Sequence, residues 1–214
     1  MTARRSDEII IVALWALALA VSAIGPKDVP TWFLEVLPVI IAAPLVLMTR
    51  TRFPLSRILL WSAFVHGLIL IMGGHYTYAE VPLGFYLQDI MSFERNPYDR
   101  IGHLAQGFVP ALLTREILLR KTPLRAGRMM FVLACCVPLA FSAFYEMIEW
   151  WAAVIMDQDA EAFLGTQGDV WDTQWDMFMA LTGAAAAQVF LARLQDRQIN
   201  RQTSQISTSR AEGS

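Results

Sequence analysis

The sequence predicts an all-α fold: a polytopic transmembrane helix bundle of about six helices, with the N- and C-termini both in the cytoplasm. Three observations carry that expectation. The 214 residues are 56 % hydrophobic and 17 % charged, with mean hydropathy +0.43, whereas soluble chains run about 45–50 % apolar and about 25 % charged. The apolar residues gather into runs close to the roughly 20 residues a membrane-spanning helix needs. The basic residues collect at alternate run ends. A soluble globular enzyme, a disordered chain and a disulfide scaffold are thereby excluded. Cys135 and Cys136 are adjacent, which makes neither a disulfide framework nor a zinc spacing.

The runs follow in order. The first covers residues 9–24 and stops at Gly25-Pro26. Arg4-Arg5 ahead of it and Ser22-Ala23 at its end also fit a signal peptide, but sixteen apolar residues are long for that purpose, so an uncleaved helix is expected. The second covers 32–48, and the third 58–72, ended by Gly73-Gly74. The fourth covers 101–119, the fifth 129–156, long enough to tilt, and the sixth 175–194. One bundle domain, 1–194, is expected. The remainder, 195–214, is rich in Ser, Gln and Arg and reads as a disordered cytoplasmic tail.

Orientation comes from the Lys and Arg residues. With the N-terminus inside, 14 of the 17 fall in cytoplasmic segments, and only Lys27, Arg95 and Arg100 lie opposite. The acidic residues sort the other way. Asp7, Glu8, Glu116, Asp196 and Glu212 are cytoplasmic, and the remaining 14 of 19 lie outside or in outer helix halves.

Several of those acids fall at same-face helical spacing. Asp99 and His103 are i, i+4 at the outer start of the fourth run; Glu146 and Glu149 are i, i+3 in the outer half of the fifth; Asp172 and Asp176 are i, i+4 at the outer start of the sixth. Glu35 lies one turn into the second, and His75 follows Gly73-Gly74. Ionisable groups inside a span are costly and face the bundle interior. Glu146 and Glu149, among Phe141, Phe144, Met147 and Ile148, need a partner: Arg95, Arg100, His75, His103 or a bound cation. Carboxylates with one or two imidazoles suit Mg²⁺, Mn²⁺ or Zn²⁺. The candidate metal ligands are therefore His75, Asp99, His103, Glu146, Glu149, Asp172 and Asp176.

Plainer roles compete for individual residues. Asp99 and Asp172 suit helix N-caps. Glu146 and Glu149 could be held by Arg100 in a buried pair that only fixes the bundle. Asp157, Asp159 and Glu161 suit a solvated loop, and His66 a hydrogen-bonded packing position. Tyr76, Tyr78, Trp150, Trp151, Trp171 and Trp175 suit an outer aromatic belt. Thr182-Gly183 and Ala184 to Ala187 form a small-residue surface for close helix approach, and the two cysteines suit inert core. The chain has no Glu-x-x-His, no His-Glu-x-x-His, no Gly-rich phosphate loop and no Ser-His-Asp set. It thus assigns no catalytic residue and no organic cofactor.

Four strings carry a resemblance: GGHYTYAEVPLG at 73–84, NPYDRIGHLAQGFVPAL at 96–112, SAFYEMIEWWAA at 142–153 and GDVWDTQWDMFMALTGA at 168–184. They resemble the YjdF-type bacterial inner-membrane proteins, a domain of unknown function, over roughly residues 60–191. A weaker likeness is to VanZ-like membrane proteins, through Asp99 with His103, Glu146 or Glu149, and Asp172 to Gly183. The YjdF-type resemblance implies the bacterial inner membrane. The residues themselves support a periplasm-facing carboxylate and histidine cluster, a candidate divalent-metal site acting on a lipid-linked or periplasmic small molecule. The alternatives are a proton- or ion-linked transporter or channel-like protein, or a structural membrane partner with a buried ion-pair network. The expected partners are the lipid bilayer and such a substrate, with no nucleic acid.

Overall fold

The structure, a computed structural model, describes residues 2–156 and 167–211, and among these there is helix and no strand. The helices are α1 (Thr2–Ser22), α2 (Val29–Thr49), α3 (Arg57–Tyr76), α4 (Pro82–Met91), α5 (Tyr98–Lys121), α6 (Arg128–Met156) and α7 (Asp172–Ala211). Each apolar run of the sequence falls in one long helix, the first overrunning the end of α1 by two residues. Val29–Thr49, Arg57–Tyr76, Arg128–Ile155 and Asp172–Gln202 are long and apolar enough to cross a membrane by length and composition alone. Helices α1 and α5 have 21 and 24 residues, but α5 carries Asp99, Arg100, Arg115, Glu116, Arg120 and Lys121, which lower its mean hydropathy.

The long helices form two groups. In the first, α1, α2 and α3 enclose a core of Ile11, Trp15, Val36, Val39, Leu60 and Ile71. In the second, α5, α6 and α7 meet α3 around Leu59, Ala111, Leu112, Cys135, Ala184 and Ala187. Helices α3 and α5 pack together and join the groups, whereas α2 does not pack along α6. The bundle is therefore closed on one side and has a seam on the other.

The closest crossing is between α5 and α7. A Cβ built at Gly107 would fall on the Ala180 carbonyl, and one at Gly183 on the Leu104 carbonyl. Two backbones in contact at these glycines are the small-residue approach that membrane helices use in place of a hydrophobic driving force. Ala180, Ala184 and Ala187 on the same surface are fully buried.

Two segments differ from expectation. Residues 78–91 form a 3-10 turn, Tyr78–Glu80, followed by α4, where the sequence suggested only an outer loop. Pro82 in the first turn suits a helix start, and ten residues are too few to stand out as a span. The second difference is the tail. Helix α7 runs on to Ala211, past residue 195, where the sequence suggested that a tail begins. The reason is packing: Gln195, Ile199 and Gln202 are buried against the bundle, and Gln198 accepts a hydrogen bond from the Ile58 amide at 3.0 Å.

That packing closes the Arg-rich end. Glu116, 0 % exposed, accepts from the Ser56 amide at 2.9 Å, Arg120 at 2.8 Å and Gln195 at 3.3 Å. Arg120 also donates to the Pro54 carbonyl at 2.7 Å and lies over the Phe53 ring. Arg115 reaches Gln195 and Asp196. Two first-turn amides of α3, which no intrahelical carbonyl can satisfy, thus find partners on α5 and α7.

Candidate functional site

At the opposite end, α5 and α7 bring their acidic first turns together. His103 lies five residues into α5, about 7 Å along the axis. The Gly107–Gly183 crossing below it sets Asp176 of α7 beside it. His103 Nε2 is 3.5 Å from Asp99 Oδ1, 3.7 Å from Glu146 Oε1 and 3.9 Å from Asp176 Oδ2. Ligand atoms of Asp99, His103 and Asp176 all lie within 4.8 Å of one another. His103 and Asp176 are 7 % and 3 % exposed. His103 Nδ1, Glu146 Oε1 and Asp176 Oδ1 are buried without a hydrogen-bond partner. Buried polar atoms are ordinarily paired, so three orphans on residues that line one space mark it as incomplete.

The space is a cavity of about 770 Å³, lined by Glu35, Asp99, His103, Glu146, Glu149, Asp172 and Asp176. A smaller one of about 220 Å³ continues toward the bundle centre, from Glu35, Asp99, His103 and Glu149 to Gln106 and His66. Thr173 donates to Glu146 Oε2 at 3.1 Å and holds that carboxylate.

The rim is basic but occupied. Arg95 contacts Asp172, Asp99 at 3.6 Å and Asp169 at 3.6 Å. Arg100 pairs with Asp169 at 2.9 Å and stacks over Trp175. The pair of Arg100 with Glu146 or Glu149 that the sequence allowed does not form; Arg100, at N3 of α5, reaches across to the segment before α7 and not inward to α6.

Of the seven candidate ligands, Asp99, His103, Glu146, Glu149, Asp172 and Asp176 line one cavity. Asp172 is committed to Arg95. His75 stands apart: its Nδ1 meets the Ser22 carbonyl at 2.8 Å, and its own carbonyl accepts from the Lys27 amide. Asp99 and Asp172 are not N-caps. Pro97 caps α5, and Asp172 opens α7. Asp157, Asp159 and Glu161 lie outside the described residues. His66 Nε2 is buried and finds no hydrogen-bond partner. Cys136 is exposed on α6, unlike Cys135.

Three participants were not legible as such. Glu35 is buried and lines both cavities, although its sequence position gave it no ligand role. Tyr78, expected in the aromatic belt, turns inward. Its ring covers Gly73 of α3 and Gly102 of α5, where a Cβ would collide with it, and it lines the same cavities as Glu35. The chain enters that position through Thr77 at φ 62°, a left-handed conformation that costs a β-branched residue on the order of 1–3 kcal/mol. Burial, with Glu35 nearby, pushes the Tyr78 hydroxyl well above the usual phenol range, so it remains a donor. Tyr145 of α6 donates to the Leu34 carbonyl of α2 at 3.3 Å. That carbonyl is free because Pro38, four residues on, has no N–H to bond it.

Comparison with known proteins agrees with this architecture. The family described as "Predicted membrane protein (DUF2238)" matches residues 8–197. The inner membrane protein YjdF of Escherichia coli (strain K12) is 53 % identical over 185 residues, covering 86 % of this chain and 88 % of its own. No solved structure matches.

Proposed function

Because this chain belongs to the DUF2238 family of predicted membrane proteins, and is a multi-pass protein of the inner membrane, we propose that its polar cavity holds a divalent cation. Asp99, His103 and Asp176 are the ligands, with Glu146 completing the set. The observation that carries this is the spacing of the His103 Nε2 from three carboxylate oxygens, 3.5–3.9 Å. Atoms sharing a cation at about 2.0–2.2 Å lie roughly 3–4 Å from one another. Mixed imidazole and carboxylate donors suit Mn²⁺ or Zn²⁺ better than Mg²⁺, which prefers oxygen alone. Such an ion would supply Lewis-acid polarisation or an activated water toward a lipid-linked or periplasmic substrate. The chain's own contribution is to hold the ligands: Thr173 fixes Glu146, Arg95 keeps Asp99 and Asp172 oriented, and the α5–α7 crossing sets the His103 to Asp176 distance.

The sidedness belongs to the same reading. The Arg-rich end faces the cytoplasm and the cavity faces the periplasm, as the distribution of Lys and Arg requires. The interlocked Glu116 network at the cytoplasmic end leaves a transport path no continuation there, which puts the transporter alternative second. The engagement of Arg100 with Asp169 likewise removes the partner that a purely structural ion pair needs.

The test is metal content and metal-dependent unfolding of the detergent-purified protein. Manganese or zinc should be found by elemental analysis and lost on chelation. At a hundredfold excess over the dissociation constant the ion should add about 2.7 kcal/mol, or about 5–10 °C in Tm for a chain of this size. Asp176→Asn should abolish the shift. A wild type whose Tm does not respond to Mg²⁺, Mn²⁺ or Zn²⁺ would remove the proposal.

A further inference from the structure

The smaller cavity is walled by α2, α3, α5 and α6, with Tyr78 at its top. Helix α2 packs on α3, α3 on α5, and α5 on α6, whereas α6 does not pack along α2. The fourth corner is therefore the seam, bridged by the hydrogen bond from Tyr145 to the Leu34 carbonyl. Pro38 on one side and Phe141 and Phe144 on the other line the cavity there. Phe141 is 62 % exposed on the outer surface of the bundle. In a bilayer that surface faces acyl chains, so whatever enters by the seam must be soluble in them. At the inner end the lining turns acidic, with Glu35, Glu149 and Asp99, and no Lys or Arg contributes to it. Among the described residues, neither Glu35 nor Glu149 has a salt-bridge partner. The cation proposed above sits nearer Asp176 and leaves these two glutamates uncompensated.

We infer that the seam between α2 and α6 admits a membrane lipid with a primary amine on its head, the ammonium lodging between Glu35 and Glu149 and an acyl chain lying along Pro38, Phe141 and Phe144. Charge selects the head: Glu35, Glu149 and Asp99 line this end and no Lys or Arg does, so the ammonium, and not the lipid's phosphate, is the group that lies deepest. The seam selects the source, because an acyl chain attached to the amine needs an apolar path to these glutamates, and Pro38, Phe141 and Phe144 provide one. The inference does not depend on metal occupancy.

Phosphatidylethanolamine carrying a diazirine on one acyl chain is the probe, in phosphatidylcholine vesicles containing the purified full-length protein, irradiated with and without chelator. Labelling should concentrate on the α6 segment around Phe141 and Phe144 and on α2 around Pro38. The N-acetylated lipid, with the same chains and phosphate but no ammonium, should label that seam about ten- to a hundredfold less, the range one or two charge-assisted hydrogen bonds supply. Glu35→Gln with Glu149→Gln should erase the difference between the two lipids. If that variant does not fold, the comparison of the two lipids on the wild type decides alone. Equal labelling by both lipids, labelling spread evenly over all lipid-facing helices, or displacement by soluble ethanolamine would each overturn the inference. A chelator-insensitive preference for the amine would uphold it even where the metal titration fails.

Discussion

Replacing Gly183 with alanine tests the crossing on which the site depends. The added Cβ would fall on the Leu104 carbonyl oxygen and 3.0 Å from both the Leu104 carbonyl carbon and the Phe108 nitrogen. Ordinary contact is about 3.5–4.0 Å, so α5 and α7 must separate by on the order of 1 Å. Over-packing costs about 1–3 kcal/mol. The upper end applies, because the opposing atoms are backbone and have no rotamer to change. Alanine returns about 1 kcal/mol of helix propensity relative to glycine. The net loss is about 2 kcal/mol, or about 4–8 °C in Tm. Thermal unfolding in detergent measures it, with Gly127→Ala as the control. A Cβ at Gly127 meets nothing within 4 Å, so that variant should stay within about 0.5 kcal/mol of wild type. A Gly183→Ala protein that melts at or above wild type, with Gly127→Ala unchanged, would refute the backbone contact and with it the placement of Asp176 beside His103.

Two further predictions concern the frame around the site. Glu116→Gln should lose about 3–5 kcal/mol, because a buried carboxylate that accepts from Ser56, Arg120 and Gln195 becomes an amide facing its own donors; a loss under about 1 kcal/mol in chemical unfolding would show that the network is not formed. For sidedness, reporter fusions after Arg125 should read cytoplasmic and fusions after Ser92 periplasmic, and the reverse pattern would put the cavity on the wrong face for a periplasmic substrate.

The helices were readable because each needs one local property, an apolar run of sufficient length. The acidic clustering was readable because Asp99 with His103 and Asp172 with Asp176 share faces at i, i+4, and the cost of buried charge points them inward. What stayed hidden was non-local. Tyr78 follows two glycines and looks like any interfacial aromatic; its inward turn depends on Gly102, on a different helix, leaving it room. Arg100 is nearer in sequence to Glu146 and Glu149 than to Asp169, and only the path of the chain before Asp172 brings Asp169 to it. His75 sits beside the site in sequence, yet the end of α1 claims it through the Ser22 carbonyl. The helical continuation past Leu194 was masked by composition: Gln and Arg signal exposure unless a buried carboxylate such as Glu116 is waiting for them.

Pro38 also sets a rhythm. By stripping Leu34 of its intrahelical partner it hands a carbonyl to Tyr145, and a hydrogen bond of this kind is worth about 1 kcal/mol net. An interaction of that size favours the joined arrangement over the parted one by only about five to one at room temperature. Helices α3, α5 and α7, by contrast, are tied by buried backbone contacts and a charged network that do not release on that scale. Among the described residues the α2–α6 seam is thus the contact most easily parted, and collective motions of this sort run on microseconds to milliseconds. If the seam is the lipid's entrance, a single imino acid thereby loosens the wall through which the acidic chamber would exchange its contents.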